Sequence, residues 1–138
     1  MKKKAPSGLT IIMLVILSGL SCNLLYAQKD LNPKIAASIK SANARELSNY
    51  FNNPIDLTTP GNEGTYSKAQ AEMIVKSFFQ KYPPASYTVN HQGKSNDGSL
   101  YAIGTYKSGT KEFRTYLLLK LISGQPLIHQ LKFESEED

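Results

Sequence analysis

The 138-residue chain carries 16 basic and 11 acidic residues, a single cysteine and no tryptophan. Three of the lysines stand together at positions 2–4, so 13 cations face 11 anions over the remainder, and those cations are scattered. A scattered, nearly balanced charge gives no argument for a nucleic-acid partner, and none is expected, while one cysteine excludes an internal disulfide.

Lys2, Lys3 and Lys4 precede an apolar run from Leu9 to Leu20, followed by Leu24-Leu25-Tyr26-Ala27. A basic start, a short apolar stretch and a small residue at its end predict an export signal over 1–27, cut after Ala27. The run is shorter than the roughly 20 residues that span a bilayer. The expected location is the periplasm. Leu17-Ser18-Gly19-Leu20-Ser21-Cys22 offers an alternative, a lipid anchor on Cys22. Loss of Cys22 with the signal leaves no thiol for a thiolate metal site or a nucleophile.

One domain is expected over 28–133, with a flexible acidic tail over 134–138 (Glu134, Glu136, Glu137, Asp138). Asn32-Pro33 supplies a cap and a first-turn proline for a helix running to about Ser41, burying Leu31, Ile35 and Ile39. Asn43 caps a short second helix that carries Leu47, Tyr50 and Phe51 inward. Ile55 to Thr59 alternates as a strand. Pro60-Gly61-Asn62-Glu63-Gly64 reads as a turn into a brief return strand, Thr65-Tyr66. Ser67 and Gln70 form a capping box for a helix from Lys68 to about Lys81, which buries Met73, Ile74, Phe78, and with them Val75, Phe79 and Tyr82. A phosphate loop needs more glycines and a lysine leading into the helix, so the turn-and-cap reading is preferred.

From Ala85 onward the period is two. Four strands are predicted, Ser86 to Gly93, Ser99 to Tyr106, Thr110 to Leu121 and Gln125 to Phe133, joined by three-residue links that each end in glycine. In that register His91 opposes Ile103, Ile103 opposes Phe113, and Phe113 opposes Phe133. One face then collects Tyr87, Val89, His91, Tyr101, Ile103, Thr105, Phe113, Thr115, Leu117, Leu119, Leu127, His129, Leu131 and Phe133 as the core. The other face collects Ala102, Arg114, Tyr116, Leu118, Lys120, Ile128, Gln130 and Lys132. The fold class is α+β: helices and a small hairpin, one long helix, then a four-stranded antiparallel meander curled around it.

The segments IDLTTPGNEGTYSKAQAE, FFQKYPPASYTVNHQG, DGSLYAIGTY and FRTYLLLK, in that order of elements, carry a resemblance. The chain resembles a family of exported bacterial proteins of unknown function within the nuclear-transport-factor-two-like superfamily of cone-shaped, cystatin-like α+β domains. Ketosteroid isomerase and scytalone dehydratase belong to that superfamily. The resemblance implies a cone with a pocket between helix and sheet, but no particular activity. The isomerase branch sets an aspartate base beside a tyrosine and a protonated aspartate. The predicted core face here holds no carboxylate, and that set is not found.

Tyr87, His91 and Tyr101, with Phe78 from the helix, are the candidates for lining a pocket open to a small apolar molecule or a peptide segment. No catalytic residue, metal site or cofactor is assigned. His91 and His129 lack carboxylate or thiolate partners, and Asp56 and Glu63 are read as solvent-facing and turn residues. Arg114, Tyr116, Leu118, Ile128 and Lys132 make the other face too apolar for an open sheet, with two cations opposed. A second copy covering that face is the expected partner. The preferred reading is therefore a non-catalytic ligand-binding or assembly module. The alternative is an isomerase- or hydrolase-type pocket enzyme moving protons through His91, Tyr87 and Tyr101.

Overall fold

The structure is a computed structural model and describes residues 31–137. The expected export segment over 1–27, Cys22 included, lies outside them. Helix α1 (Pro33–Lys40) starts where expected: the Asn32 side chain accepts from the Lys34 N–H, with Pro33 in the first turn. Helix α2 (Ala44–Ser48) is capped by Asn43, which accepts from the Glu46 N–H. Helix α3 (Lys68–Lys81) opens with the predicted capping box. The Gln70 N–H donates to Ser67 Oγ, and the Ser67 N–H donates back to Gln70 Oε1, each at 3.2 Å.

Six strands follow one another as β1 (Phe51–Thr59), β2 (Asn62–Tyr66), β3 (Ser86–Lys94), β4 (Leu100–Ser108), β5 (Lys111–Ile122) and β6 (Gln125–Ser135). They make one sheet in the order β2-β1-β6-β5-β4-β3. The last four strands are antiparallel neighbours, but they are not a sheet by themselves. β1 adds to β6 in parallel, so the expected four-stranded meander is part of a six-stranded mixed sheet. The physical reason lies in β1: Phe51, Ile55 and Leu57 are all buried. Pairing with β6 extends the apolar face beneath α3 and satisfies backbone groups that an isolated hairpin would leave at an edge. β6 also runs through Glu134 and Ser135 into the acidic segment.

The hairpins decide which side chains face inward. The β3–β4 link has the expected three-residue form: the Ser95 N–H donates to the Ser99 carbonyl, and Gly98 sits at φ 88°. The β4–β5 link is instead a two-residue turn, Gly109-Thr110, because Ser108 pairs with Lys111. The β5–β6 link is also two residues, Ser123-Gly124, with φ of 51° and 79°. Positive φ at both centres is the type I′ turn, whose twist matches the flanking strands.

The β4–β5 difference moves the register by three residues, an odd number, and turns β4 over relative to the expectation. Ile103 faces Tyr116 and not Phe113, while Tyr106 faces Phe113. Leu100, Ala102, Gly104 and Tyr106 point inward, and Tyr101, Ile103 and Thr105 point outward. Along β6 the tighter turn and a bulge at His129 combine to a shift of two, which preserves the faces of Leu131 and Phe133. Phe113 therefore pairs with Ser135 and not Phe133, although both rings point inward.

Phe78 of α3 is the hub of the interior. Its ring centroid lies 4.4 Å from Phe133, 5.2 Å from Phe113, 5.3 Å from Tyr106 and 5.5 Å from Tyr82. Tyr106 Oη donates to the Tyr82 carbonyl at the end of α3, so a buried phenol closes the helix C-terminus. Burial raises the Tyr106 phenol well above its ordinary range. Met73, expected inside, is exposed on α3, while Val75, Phe78 and Phe79 hold the buried stripe.

Candidate functional site

The four pocket candidates do not come together. Phe78 and Tyr87 lie on the inner face and are buried. His91 and Tyr101 lie on the outer face, and His91 is exposed. Two features place them there. β4 is turned over, as described, and β3 bulges between Val89 and His91. The bulge keeps Tyr87 and Val89 inside while sending His91 outward opposite Ile103, the one predicted pairing of this group that the sheet contains. Tyr101 Oη then sits 3.2 Å from His91 Nε2, within hydrogen-bond range. Gly93 makes room for this contact, since a Cβ there would fall 2.5 Å from Tyr101 Oη.

The interior is occupied by protein. Phe78, Phe113 and Leu117, all buried, fill the space beneath α3 where a ligand pocket, or in the alternative reading a proton-transfer site, was expected. Two buried hydroxyls nearby, Tyr87 Oη and Thr115 Oγ1, find no partner with hydrogen-bond geometry. Burial pushes the Tyr87 phenol up to about 12, and the nearby Thr115 hydroxyl offsets only part of the rise. Gly104 is required beside this pair: a Cβ on it would meet the Thr88 backbone oxygen at 2.4 Å.

The outer face is where polar and apolar groups converge. Tyr101, Ile103, Tyr116 and Leu118 form a half-buried stripe across β4 and β5. Next to it, Arg114 faces Glu134, and Lys132 faces Tyr116. Lys132 Nζ lies 3.7 Å from Glu134 Oε1. Arg114 and Lys132 are thus both on the expected face, but Glu134 is set against each of them, and the two cations are not directly opposed. Two shallow grooves of about 280 and 260 Å³ share Gln130 and Lys132. One extends over Asp56, Glu63 and Thr65, the other over Arg114, Tyr116 and Glu134. Asp56 accepts from the Thr65 hydroxyl at 2.7 Å.

Ile128 does not belong to this face. It is fully buried opposite Leu119, because the bulge at His129 reverses the strand on its turn-proximal side. His129 is itself half-buried and not in the core. Its Nε2 is shielded from water without a partner. Burial lowers its pKa below the ordinary imidazole value, Lys120 adds to the shift, and Asp56 opposes it. Among the described residues, no group of three or more His, Cys, Asp or Glu is placed to hold a metal ion.

Sequence reasoning missed Ile103, Tyr101 and Glu134 as members of the outer face. The signal for the first two was present: Ala102 and Gly104 alternate with Tyr106, and small residues suit the side on which a helix with bulky rings must approach. Glu134 was hidden by composition, since four acids in five residues read as a solvated tail.

The profile of a domain of unknown function, DUF4783, matches residues 32–134. No curated protein matches the chain. The crystal structure of a DUF4783 family protein from Bacteroides ovatus is 28% identical with a TM-score of 0.72, covering 80% of this chain and 99% of that one. A family protein from Bacteroides uniformis is 25% identical with a TM-score of 0.72, covering 79% and 100%. An NTF2-like protein of unknown function from Shewanella baltica shares the fold alone, at 12% identity and a TM-score of 0.55, covering 75% and 86%. With the greater part of its length matched, this chain belongs to the DUF4783 family, and its fold is NTF2-like.

Proposed function

We propose that this chain is an exported, non-catalytic assembly module, two copies of which pair through the outer face of the sheet. One observation carries the reading: Tyr101, Ile103, Tyr116 and Leu118 form a continuous apolar stripe on the sheet face that no helix among the described residues covers. The stripe is bordered by charges of both signs, with Arg114 and Lys132 beside Glu134, and Asp56 and Glu63 further along. A two-fold axis through such a face sets each cation near an anion of the other copy and stacks the stripes on each other. Stable pairs bury roughly 800 Å² per partner. Tyrosine in the stripe suits a surface that must be wet in one state and dry in the other.

The filled interior supports the same reading, because it leaves the expected small apolar guest no space beneath α3. Light scattering at roughly 50 μM, a concentration at which an interface of ordinary size is formed, is expected to give twice the monomer mass. The double variant Tyr116→Glu, Leu118→Glu is expected to give the monomer mass with an unchanged circular dichroism spectrum. A wild-type monomer at that concentration overturns the reading.

A further inference from the structure

β6 is irregular at one residue on both of its sides. Toward β5 the pairing passes from Ile128 opposite Leu119 to Gln130 opposite Leu118. Toward β1 it passes from Ile128 opposite Phe51 to Gln130 opposite Asp56. His129 is skipped by both neighbours. Ile128 and Leu131 are both fully buried, so His129 and Gln130 stand between two inward residues where strict alternation leaves room for one outward side chain. Bulges re-aim side chains in this way. Here the bulge sets an imidazole on the outer face beside Leu118, at the border of the apolar stripe. Lys120 and Asp56, the charges that act on the ring, belong to the same face.

The ring is poorly placed to carry a charge. Its Nε2 is shielded from water and has no hydrogen-bond partner among the described residues. Lys120 of β5 and Asp56 of β1 act on it with opposite sign. Asp56 already accepts from the Thr65 hydroxyl, and Glu63 of β2 lies one strand further out, opposite Thr58. Lys132 and Glu134, further along β6, face each other at 3.7 Å, and Asp97 of the β3–β4 turn acts on Lys120. Burial, with Lys120 adding to it, keeps the imidazole pKa below its ordinary value. His91, the other histidine, differs. It is exposed, and its Nε2 lies 3.2 Å from Tyr101 Oη, an oxygen that can accept from a protonated ring.

We propose that His129 is a proton gate on the paired copies: the covered face accepts the neutral imidazole, and a proton on Nε2 drives the two copies apart. The gate rests on the reading of the outer face as the joint between copies. A second sheet laid over the stripe takes water away from the ring's surroundings, and a charge costs more the less water reaches it. The pair therefore binds protons less readily than two separate chains do. By linkage, acid favours separation. Each copy carries one such ring, so a drop of about one pH unit per ring on pairing weakens the pair about 100-fold once the pH lies below both values.

With only two histidines in the chain, the test is direct. Sedimentation equilibrium at about pH 7.5 and about pH 5.5 brackets the imidazole range and reads the dissociation constant at each. Circular dichroism at both values checks that the fold is retained. Acidification is expected to weaken the wild-type pair by at least about tenfold and the His129→Gln pair by less than about threefold. His91→Gln is expected to keep the wild-type response. A wild-type pair equally tight at both values, or an undiminished response in His129→Gln, overturns the gate and leaves the pairing standing. A wild-type monomer at the higher pH overturns pairing and gate together. A second readout leaves position 129 intact: the imidazole proton resonance of His129 in the His91→Gln chain, titrated in dilute and in concentrated samples. Its midpoint is expected to fall with concentration, and one midpoint in both samples overturns the gate.

Discussion

Replacing Phe78 by alanine tests whether the space beneath α3 is as full as its ring distances imply. Phe78 is 4% exposed, with four ring centroids between 4.4 and 5.5 Å away and a fifth, Phe79, at 6.0 Å. Removing a buried phenylalanine costs about 3–5 kcal/mol through lost transfer energy and the hole left behind. Aromatic pairs add roughly 0.5–1.5 kcal/mol each beyond area, so the loss should fall in the upper half of that range. The neighbouring rings come from α3, β4, β5 and β6, and the sheet that holds three of them cannot collapse onto the gap. Urea unfolding followed by circular dichroism reads the loss as a lower midpoint. Phe78→Leu, with an expected cost of about 1–2 kcal/mol, covers the case in which the alanine variant does not fold. The hole should be apolar and dry and should accept benzene, as apolar cavities do. Benzene should therefore raise the midpoint of the alanine variant and leave the wild type unmoved. A loss under about 1 kcal/mol, or a wild type already stabilised by benzene, would refute the closed interior and return the pocket readings to consideration.

Further outcomes follow from single contacts. Tyr106→Phe removes the donor to the Tyr82 carbonyl at the end of α3 and should cost about 1–2 kcal/mol in the same unfolding assay, with the fold retained. Ser123 is exposed at φ 51° in the type I′ turn, a position that asparagine tolerates better. Ser123→Asn should raise stability by roughly 0.5 kcal/mol, read as a higher melting temperature. His129 has a pKa below its ordinary value of 6.5 in the folded state, so the unfolded chain binds the proton more readily. Stability should fall as pH drops below about 6.5 and stop falling below the folded pKa. His129→Gln should flatten that part of the profile, whereas an unchanged slope would place its origin elsewhere. Gly104→Ala should destabilise by more than about 2 kcal/mol, because the new Cβ would meet the Thr88 backbone oxygen at 2.4 Å and not a movable side chain.

Local chemistry was legible in the sequence wherever the deciding contacts lie a few residues apart. Asn32, Asn43 and Ser67 cap the helices they were assigned to, and α3 spans Lys68–Lys81 as read. All three turns were located, but KSGTK and ISGQ fit both a two-residue and a three-residue turn, and the β4–β5 link is Gly109-Thr110 and not the expected Lys107-Ser108-Gly109. That one-residue ambiguity settles the face of every side chain on the next strand. In β4, the large residues Tyr101 and Ile103 argued for one face. The small Ala102 and Gly104 had to be inside so that Phe78 and Phe79 could approach Tyr106, a demand set by α3 some twenty-five residues away. Bulges at Asn90 and His129 carry no mark in a hydrophobicity pattern. The parallel pairing of β1 with β6 was equally hidden, since it joins segments separated by some seventy residues. The candidate site inherited these differences: Arg114, Tyr116, Leu118 and Lys132 kept their shared face, while His91 and Tyr101 joined it from the expected pocket and Ile128 left it for the core.

The central claim, two copies joined through the uncovered sheet face, is tested most directly by a distance between copies. A spin label on Thr105→Cys, in a chain with Cys22→Ser, sits on that face beside Ile103; one on Lys76→Cys sits exposed on α3, behind the sheet. Packed sheets stack about 10 Å apart, so dipolar electron resonance should find a short, well-defined distance between labels at position 105 and a much longer one at position 76. No coupling at 105, or the shorter distance at 76, would contradict the assembly.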